Sequence, residues 1–185
     1  MPDQAGQFIV GWQLAPPAAS ASSGRKHQER LDWLTVMAKR HDALLPLSRD
    51  HHHALVQARR LKDAAASADR KVRIRAADDF LNFYLGRALH HFREEEELFF
   101  PPATEFEEAR PLVVRAVTEH LNVHRLVGLL KAQLSSAAVT GELLGEISEV
   151  LRLHVRFEED ELFPLIERLV PSDRLEEVAG HRREV

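Results

Sequence analysis

Histidine and glutamate recur at one spacing in two places. His91-Phe92-Arg93-Glu94-Glu95 and His154-Val155-Arg156-Phe157-Glu158 each place a Glu four residues after a His, and each reaches a Pro ten residues after that His, at Pro101 and Pro164. Residues four apart on a helix lie on one face about one turn apart. His91 with Glu95, and His154 with Glu158, therefore each aim an imidazole and a carboxylate at one point. His120 and His124 form a further pair at the same spacing, and His51 opens the run His51-His52-His53. Nitrogen and carboxylate donors of this kind suit iron, manganese or zinc. The chain has no cysteine, which removes disulfides, thiolate metal sites, iron–sulfur clusters and cysteine redox relays.

The elements that must position these residues read as helices. Ser48 fits an N-cap just after Pro46, and a first helix runs to about Ala66 with Leu47, His51, Ala54, Leu55, Ala58 and Leu61 on one face. After Ser67-Ala68-Asp69 a second helix runs from about Arg70 to Phe99, with Phe80, Tyr84, Ala88, His91, Glu95, Leu98 and Phe99 along its stripe. Pro101-Pro102 is expected to end it, because Pro lacks the N–H and clashes with the preceding turn. A third helix begins near Pro111 and carries Val113, Ala116, Val117, His120, Val123, His124 and Val127. A loop around 137–141 leads to a fourth, with Ile147, Val150, Leu151, His154, Glu158, Leu162 and Leu165, which Pro164 is expected to kink or break. Ser172 is the expected cap of a short last helix reaching about Gly180. Alternating β-branched runs and turn-Gly pairs are missing. Four amphipathic helices joined by short loops predict an all-α, up-down-up-down four-helix bundle, and the likeness of the second and fourth helices marks an internal repeat of two hairpins. Residues 1–30, with Pro16-Pro17 and Ser20-Ala21-Ser22-Ser23-Gly24, read as a tail. Residues 31–185 read as one domain with its core over 44–170 and a short lead-in helix over 31–40.

The polar residues on these stripes fall at matched levels: His51, His91 and Glu95, His120 and His124, His154 and Glu158. Burying carboxylates and imidazoles without compensation costs several kcal/mol per charged group, and a bound cation removes that cost. With each carboxylate shared between two ions, five imidazoles, two carboxylates and an oxo or hydroxo bridge supply about eleven of the about twelve bonds that two octahedral ions take, leaving a position for a small diatomic ligand. Successive helix positions turn by about 100°, so His51, His52 and His53 cannot all face inward. His51 has Leu47, Leu55 and Ala58 around it and ranks first, His52 second, and His53 faces solvent. His91 ranks above His90 on the same test. His124 also fits a place behind the ligands or lining the pocket. Glu94, Glu96, Glu97, Glu159, Asp160 and Glu161 read as solvated helix faces, Phe92, Phe99, Phe157 and Phe163 as core, and Lys71-x-Arg73-x-Arg75 as surface charge. The formal net charge is −4, which does not point to nucleic acid. No apolar run approaches the ~20 residues of a membrane span, and Met1-Pro2-Asp3-Gln4 does not open a signal peptide, so a cytoplasmic setting is expected.

The four motifs together resemble the hemerythrin family, in particular its bacterial HHE cation-binding domains. The resemblance rests on Asp50-His51, His91-x-x-x-Glu95 with Leu98-Phe99 and Pro101, Glu119-His120-x-x-x-His124, and His154-x-x-x-Glu158 with Leu162-Phe163-Pro164, and covers roughly 44–170. It implies a non-haem di-iron centre with His51, His91, His120, His124 and His154 as terminal ligands, Glu95 and Glu158 as bridging carboxylates, and an oxo or hydroxo bridge, with zinc or manganese as substitute metals. Oxygen-carrying members place an Asp five residues after the last His. That position is Glu159 here, and Glu158 is preferred because it matches the second helix. The function so implied is binding or sensing of dioxygen or a related small oxidant rather than catalysis. The alternatives are a di-iron enzyme acting on peroxide or nitric oxide, or iron storage and donation.

Overall fold

A computed structural model of the chain describes residues 40–183. These lie within one compact unit, Val36–Val185. The tail at 1–30 and nearly all of the lead-in helix at 31–40 lie outside the described residues. The described residues form helices and no strand: α1 Leu45–Ala65, α2 Arg70–Phe83, α3 Leu89–Glu94, α4 Phe100–Thr104, α5 Arg110–Ser135, α6 Gly141–Phe157, α7 Phe163–Leu169 and α8 Ser172–Gly180, with a last 3-10 turn at His181–Arg183. Three π-helical turns join some of these end to end. Tyr84–Ala88 links α2 to α3, Glu95–Phe99 links α3 to α4, and Glu158–Leu162 links α6 to α7. The chain therefore makes four rods: α1, α2 through α4, α5, and α6 through α7. Neighbours in sequence pack side by side, and α1 also packs along α6, which closes the all-α four-helix bundle.

Local chemistry explains several boundaries. Asp69 caps α2, its side chain accepting from the Lys71 N–H at 2.8 Å. Thr140 caps α6 through the Leu143 N–H. At the end of α5 the Ala138 N–H reaches the Gln133 carbonyl at 2.8 Å and the Ala137 N–H the Leu134 carbonyl at 2.9 Å, a Schellman closure in which Ala137 takes φ 50°. Gly141 opens α6 where a Cβ would strike the Ala65 carbonyl oxygen, so only glycine lets the two helix ends meet. Arg73 ties this end together, donating to the carbonyls of Val139 at 3.0 Å and Ser67 at 2.6 Å; it is a loop clamp rather than plain surface charge. Ser148 on α6 donates to the Ala58 carbonyl at 2.7 Å, which the small Ala54 and Ala58 allow by letting the rods approach.

The structure departs from the sequence reading at the prolines. Pro101-Pro102 does not end the second rod, and Pro164 does not break the fourth. In both cases a π turn comes first, and the Pro then sits in the first turn of the next helical segment, where its missing N–H is not needed. The wider turn shifts the hydrogen-bond register by one: the Phe100 N–H reaches back to Glu95, and the Phe163 N–H to Glu158. The N-caps also move. Helix α1 starts at Leu45 with Pro46 in its first turn, so Ser48 lies inside the helix and is buried. Ser172 is the first residue of α8, after Pro171.

Two apolar clusters fill the interior. One contains Leu61, Phe80, Leu126, Leu130, Leu144 and Leu151, the other Leu47, Phe99, Phe100, Leu162, Phe163 and Leu175. Buried His51, His91, Glu95, His120, His154 and Glu158 belong to neither. No helix among the described residues is long and apolar enough to cross a membrane.

Candidate metal centre

Six of the seven residues singled out by spacing meet in this polar layer. They fall into two groups of four: His51, His91, Glu95 and Glu158, and Glu95, His120, His154 and Glu158. Glu95 and Glu158 belong to both. Within each group one donor atom per residue lies within 4.8 Å of the others. Oε1 of Glu95 is 3.2 Å from His91 Nε2, and its Oε2 is 3.3 Å from His120 Nε2. Oε2 of Glu158 lies 3.0 Å from His51 Nε2 and 3.3 Å from His154 Nε2. Both glutamates begin a π turn, and π turns recur where a helix must re-aim a side chain.

All six residues are at most 4% exposed. Both oxygens of Glu95, both of Glu158, and the Nε2 atoms of His120 and His154 are buried without a hydrogen-bond partner. The donors face one another as charges but not along hydrogen-bond directions. Buried polar atoms left this way are rare in folded proteins, and a cation between them satisfies all of them at once. The donor set, imidazole and carboxylate with no thiolate, fits iron, manganese or zinc.

Behind each imidazole stands a second carboxylate. His51 Nδ1 meets Glu159 at 2.6 Å, His120 Nδ1 meets Glu96 at 2.7 Å, His154 Nδ1 meets Glu119 at 3.1 Å, and His91 Nδ1 lies 3.8 Å from Asp50. Glu159, Glu96 and Glu119 fix the orientation of their rings, hold the proton on Nδ1 and leave Nε2 for a metal, while His91 Nδ1 is buried without a hydrogen-bond partner. Glu159 is itself held by buried Arg40 at 2.7 Å, Asp50 by Arg87 at 2.6 Å and Glu119 by Arg115 at 2.8 Å. Sequence reasoning placed Glu94, Glu96 and Glu159 on solvated faces, and the structure corrects this. Glu159 and Glu94 are buried, Glu96 bonds to His120, and Glu94 pairs with Arg182. The signal was present as a repeat: an acid precedes His51 and His120, and an acid follows Glu95 and Glu158. The acid before the His backs the ligand of the next rod, and the acid after the Glu backs the His of another.

The field inside the metal-free layer follows. Burial depresses His120, but the carboxylates of Glu158, Glu95 and Glu96 outweigh it and push the imidazole up to about 11. The same contest leaves His51 well above its ordinary value, against burial, through Glu158, Glu159 and Glu95. Burial and the Glu95 charge would raise Glu158, yet His154, His120 and His51 hold it down at about 2. Glu95, raised by burial, is held well below the usual carboxylate range by His91, His120 and His51.

His51 faces inward, while His52, His53 and His90 are exposed. The structure places His124 outside both groups. Its Nδ1 meets the Tyr84 hydroxyl at 2.5 Å. Phe92 stacks on His120 at 4.1 Å and meets the His124 ring edge-on at 5.7 Å, so an apolar ring fills the space a fifth imidazole would cross.

The fold and layer define a helical-bundle metal-binding protein. The hemerythrin HHE cation-binding domain profile matches residues 42–166, most of the chain, and the chain belongs to that family. The chain has no significant match to a curated protein or to a solved structure.

Proposed function

We propose that the chain holds two iron ions, joined by an oxo or hydroxo bridge, and binds or senses dioxygen or a related small oxidant. The observation that carries this is the sharing of Glu95 and Glu158 between two pairs of imidazoles, with their four oxygens buried and otherwise unpartnered. His51 and His91 would hold one ion, His120 and His154 the other, with both glutamates common. That supplies about four donors per ion and leaves about two positions on each of two octahedral irons, for the bridge and an incoming ligand. His124 would act from behind rather than as a ligand. A ferrous pair supplies the electrons that an oxidant of this class takes up on binding.

The chain's own residues do the rest. Glu159, Glu96 and Glu119 keep His51, His120 and His154 in one tautomer and orientation, and Asp50 stands 3.8 Å from His91. Phe163 stacks on His51 at 5.2 Å and Phe92 on His120 at 4.1 Å, excluding water from the ring faces. A cavity of about 10 Å³ lies against His51, His91 and His154, walled by Ala54, Phe83, Ala88, Phe92, Leu151 and Val155. That is room for about one water-sized molecule, which favours a diatomic over a larger substrate. Asp50 and Arg87, paired at 2.6 Å, also line it.

The test is metal content with the visible spectrum, recorded reduced under anaerobic conditions and again after exposure to air. Two irons per chain and new near-ultraviolet and visible bands on exposure are expected. Reversal on removing oxygen indicates binding. Catalytic loss of added peroxide or nitric oxide indicates an enzyme instead, and ready loss of iron to a chelator indicates storage. No iron after anaerobic loading, or loading undiminished in His91→Ala with His154→Ala, overturns the site.

A further inference from the structure

The chain contains a single tyrosine, and the metal centre as drawn does not use it. Tyr84 is 6% exposed, and its hydroxyl meets His124 Nδ1 at 2.5 Å. Among the described residues it opens the one π turn, Tyr84–Ala88, that precedes no proline; the other two make room for Pro101 and Pro164, so this one lacks that reason. From the phenol an unbroken line of rings leads to the metal donors. Tyr84 and His124 have centroids 5.9 Å apart, His124 and Phe92 5.7 Å, and Phe92 then reaches His120 at 4.1 Å and His154 at 5.6 Å.

We propose that Tyr84 and His124 are a redox-active pair that delivers one electron, with its proton managed locally, to the oxidised metal centre. The proposal rests on the di-iron reading above. The oxidant is the centre after it has reacted with a peroxide or dioxygen. Tyr84 loses one electron, which reduces the centre by one, and its O–H bond breaks. The proton goes to Nδ1 of His124, a neutral imidazole carrying its own proton on Nε2, which becomes the imidazolium. The return of one electron to the phenoxyl brings the proton back. The Tyr84 hydroxyl already lies within hydrogen-bond reach of its acceptor, 2.5 Å from His124 Nδ1. A buried phenol with a fixed acceptor gives up an electron without first having to ionise. Such a pair would draw a stray oxidising equivalent away from the ligand imidazoles.

Because the chain has one tyrosine, isotope labelling assigns any tyrosyl radical to Tyr84. Iron-loaded protein, its metal content measured, is mixed with hydrogen peroxide, freeze-quenched and examined by electron paramagnetic resonance. A tyrosyl signal is expected whose splitting collapses with ring-deuterated tyrosine, and which disappears in Tyr84→Phe with the iron retained. His124→Phe is expected to lower its yield severalfold. No tyrosyl signal from protein that keeps its iron, or a yield unchanged in His124→Phe, overturns the proposal. In a second arm the metal-free chain is oxidised by flash-generated ruthenium(III) tris-bipyridine. Faster Tyr84 oxidation in the unaltered chain than in His124→Phe supports the proton acceptor, and equal rates overturn it. A chain that binds no iron fails at the metal analysis, which marks failure of the di-iron reading, while the metal-free arm reports on the pair by itself.

Discussion

Metal loading must displace protons, and the number follows from the geometry. In the metal-free layer Glu95 and Glu158 are ionised, and His51, His91 and His120 are raised. On His51 and His120 the proton to be displaced sits on Nε2, since Nδ1 keeps its hydrogen for Glu159 and Glu96. The Nε2 atoms of His51 and His91 face each other at 3.0 Å, so that pair shares one proton there. His120, raised to about 11, holds another. Loading two divalent ions near pH 7 is therefore expected to release about two protons from imidazoles, and a third if water becomes a bridging hydroxide. The combined affinity then rises about a hundredfold per pH unit, since each proton linked is worth about 1.4 kcal/mol per unit. The metal-free fold moves the other way. Its raised histidines add stability that is complete below their unfolded value near 6.5 and is lost as pH climbs through the raised folded values. Its depressed glutamates add stability that is present above about 4.5 and is lost as acid takes the pH down through their folded values. The gap in stability between loaded and metal-free protein thus widens with alkalinity. Calorimetric titration with zinc, which has no redox chemistry of its own, in buffers of different ionisation enthalpy counts the protons directly. A count of one or fewer would refute the reasoning, because it would mean that the layer is not protonated or that the ions bind elsewhere.

Other perturbations separate the site from the scaffold. Glu96→Gln, at a partly exposed carboxylate behind His120, should weaken metal binding by roughly tenfold in chelator competition while leaving urea stability within about 0.5 kcal/mol. Glu159→Gln, between His51 and buried Arg40, should weaken binding and also destabilise the fold by about 1–2 kcal/mol, since a buried charged pair is replaced by a neutral contact while Arg40 keeps Glu167 at 3.2 Å; equal stability costs for the two variants would contradict their assigned surroundings. Ala137→Gly should stabilise by up to about 1 kcal/mol, because alanine is strained in the left-handed region, whereas Gly141→Ala should cost about 1–3 kcal/mol by pressing on the Ala65 carbonyl; urea midpoints read both signs. Leu144→Ala, deep in one apolar cluster and away from the donors, should cost about 2–5 kcal/mol with the metal stoichiometry unchanged.

The bundle was legible because its evidence is periodic. Apolar stripes, Asp69, Pro111 and short loops all point to the same four rods. The donors were legible for the opposite reason: His and Glu interrupt those stripes where burial would otherwise penalise them. What could not be read is where two local rules conflict. Pro101 and Pro164 are stop signals by propensity, yet each lies six residues after a glutamate that the site needs, and a π turn at Glu95 or Glu158 serves both by re-aiming the carboxylate and giving the Pro a fresh first turn. The carboxylates behind the imidazoles were hidden because runs such as Glu94-Glu95-Glu96-Glu97 look alike to any rule based on charge. Helical phase separates them: within four residues the run holds a buried partner of Arg182, a shared donor, a support for His120 and an exposed i,i+4 partner of Arg93. His124 illustrates the limit of stripe reasoning. It shares a face with His120, but one turn is about 5.4 Å along the axis, enough to carry it past Phe92 to Tyr84. In the second and fourth rods the residue one turn from the His is the shared carboxylate, and in the third it is His124. The repeat that made the second and fourth rods recognisable thus also shows what sets the third apart: it gives one residue to the layer and turns the next towards the chain's single phenol.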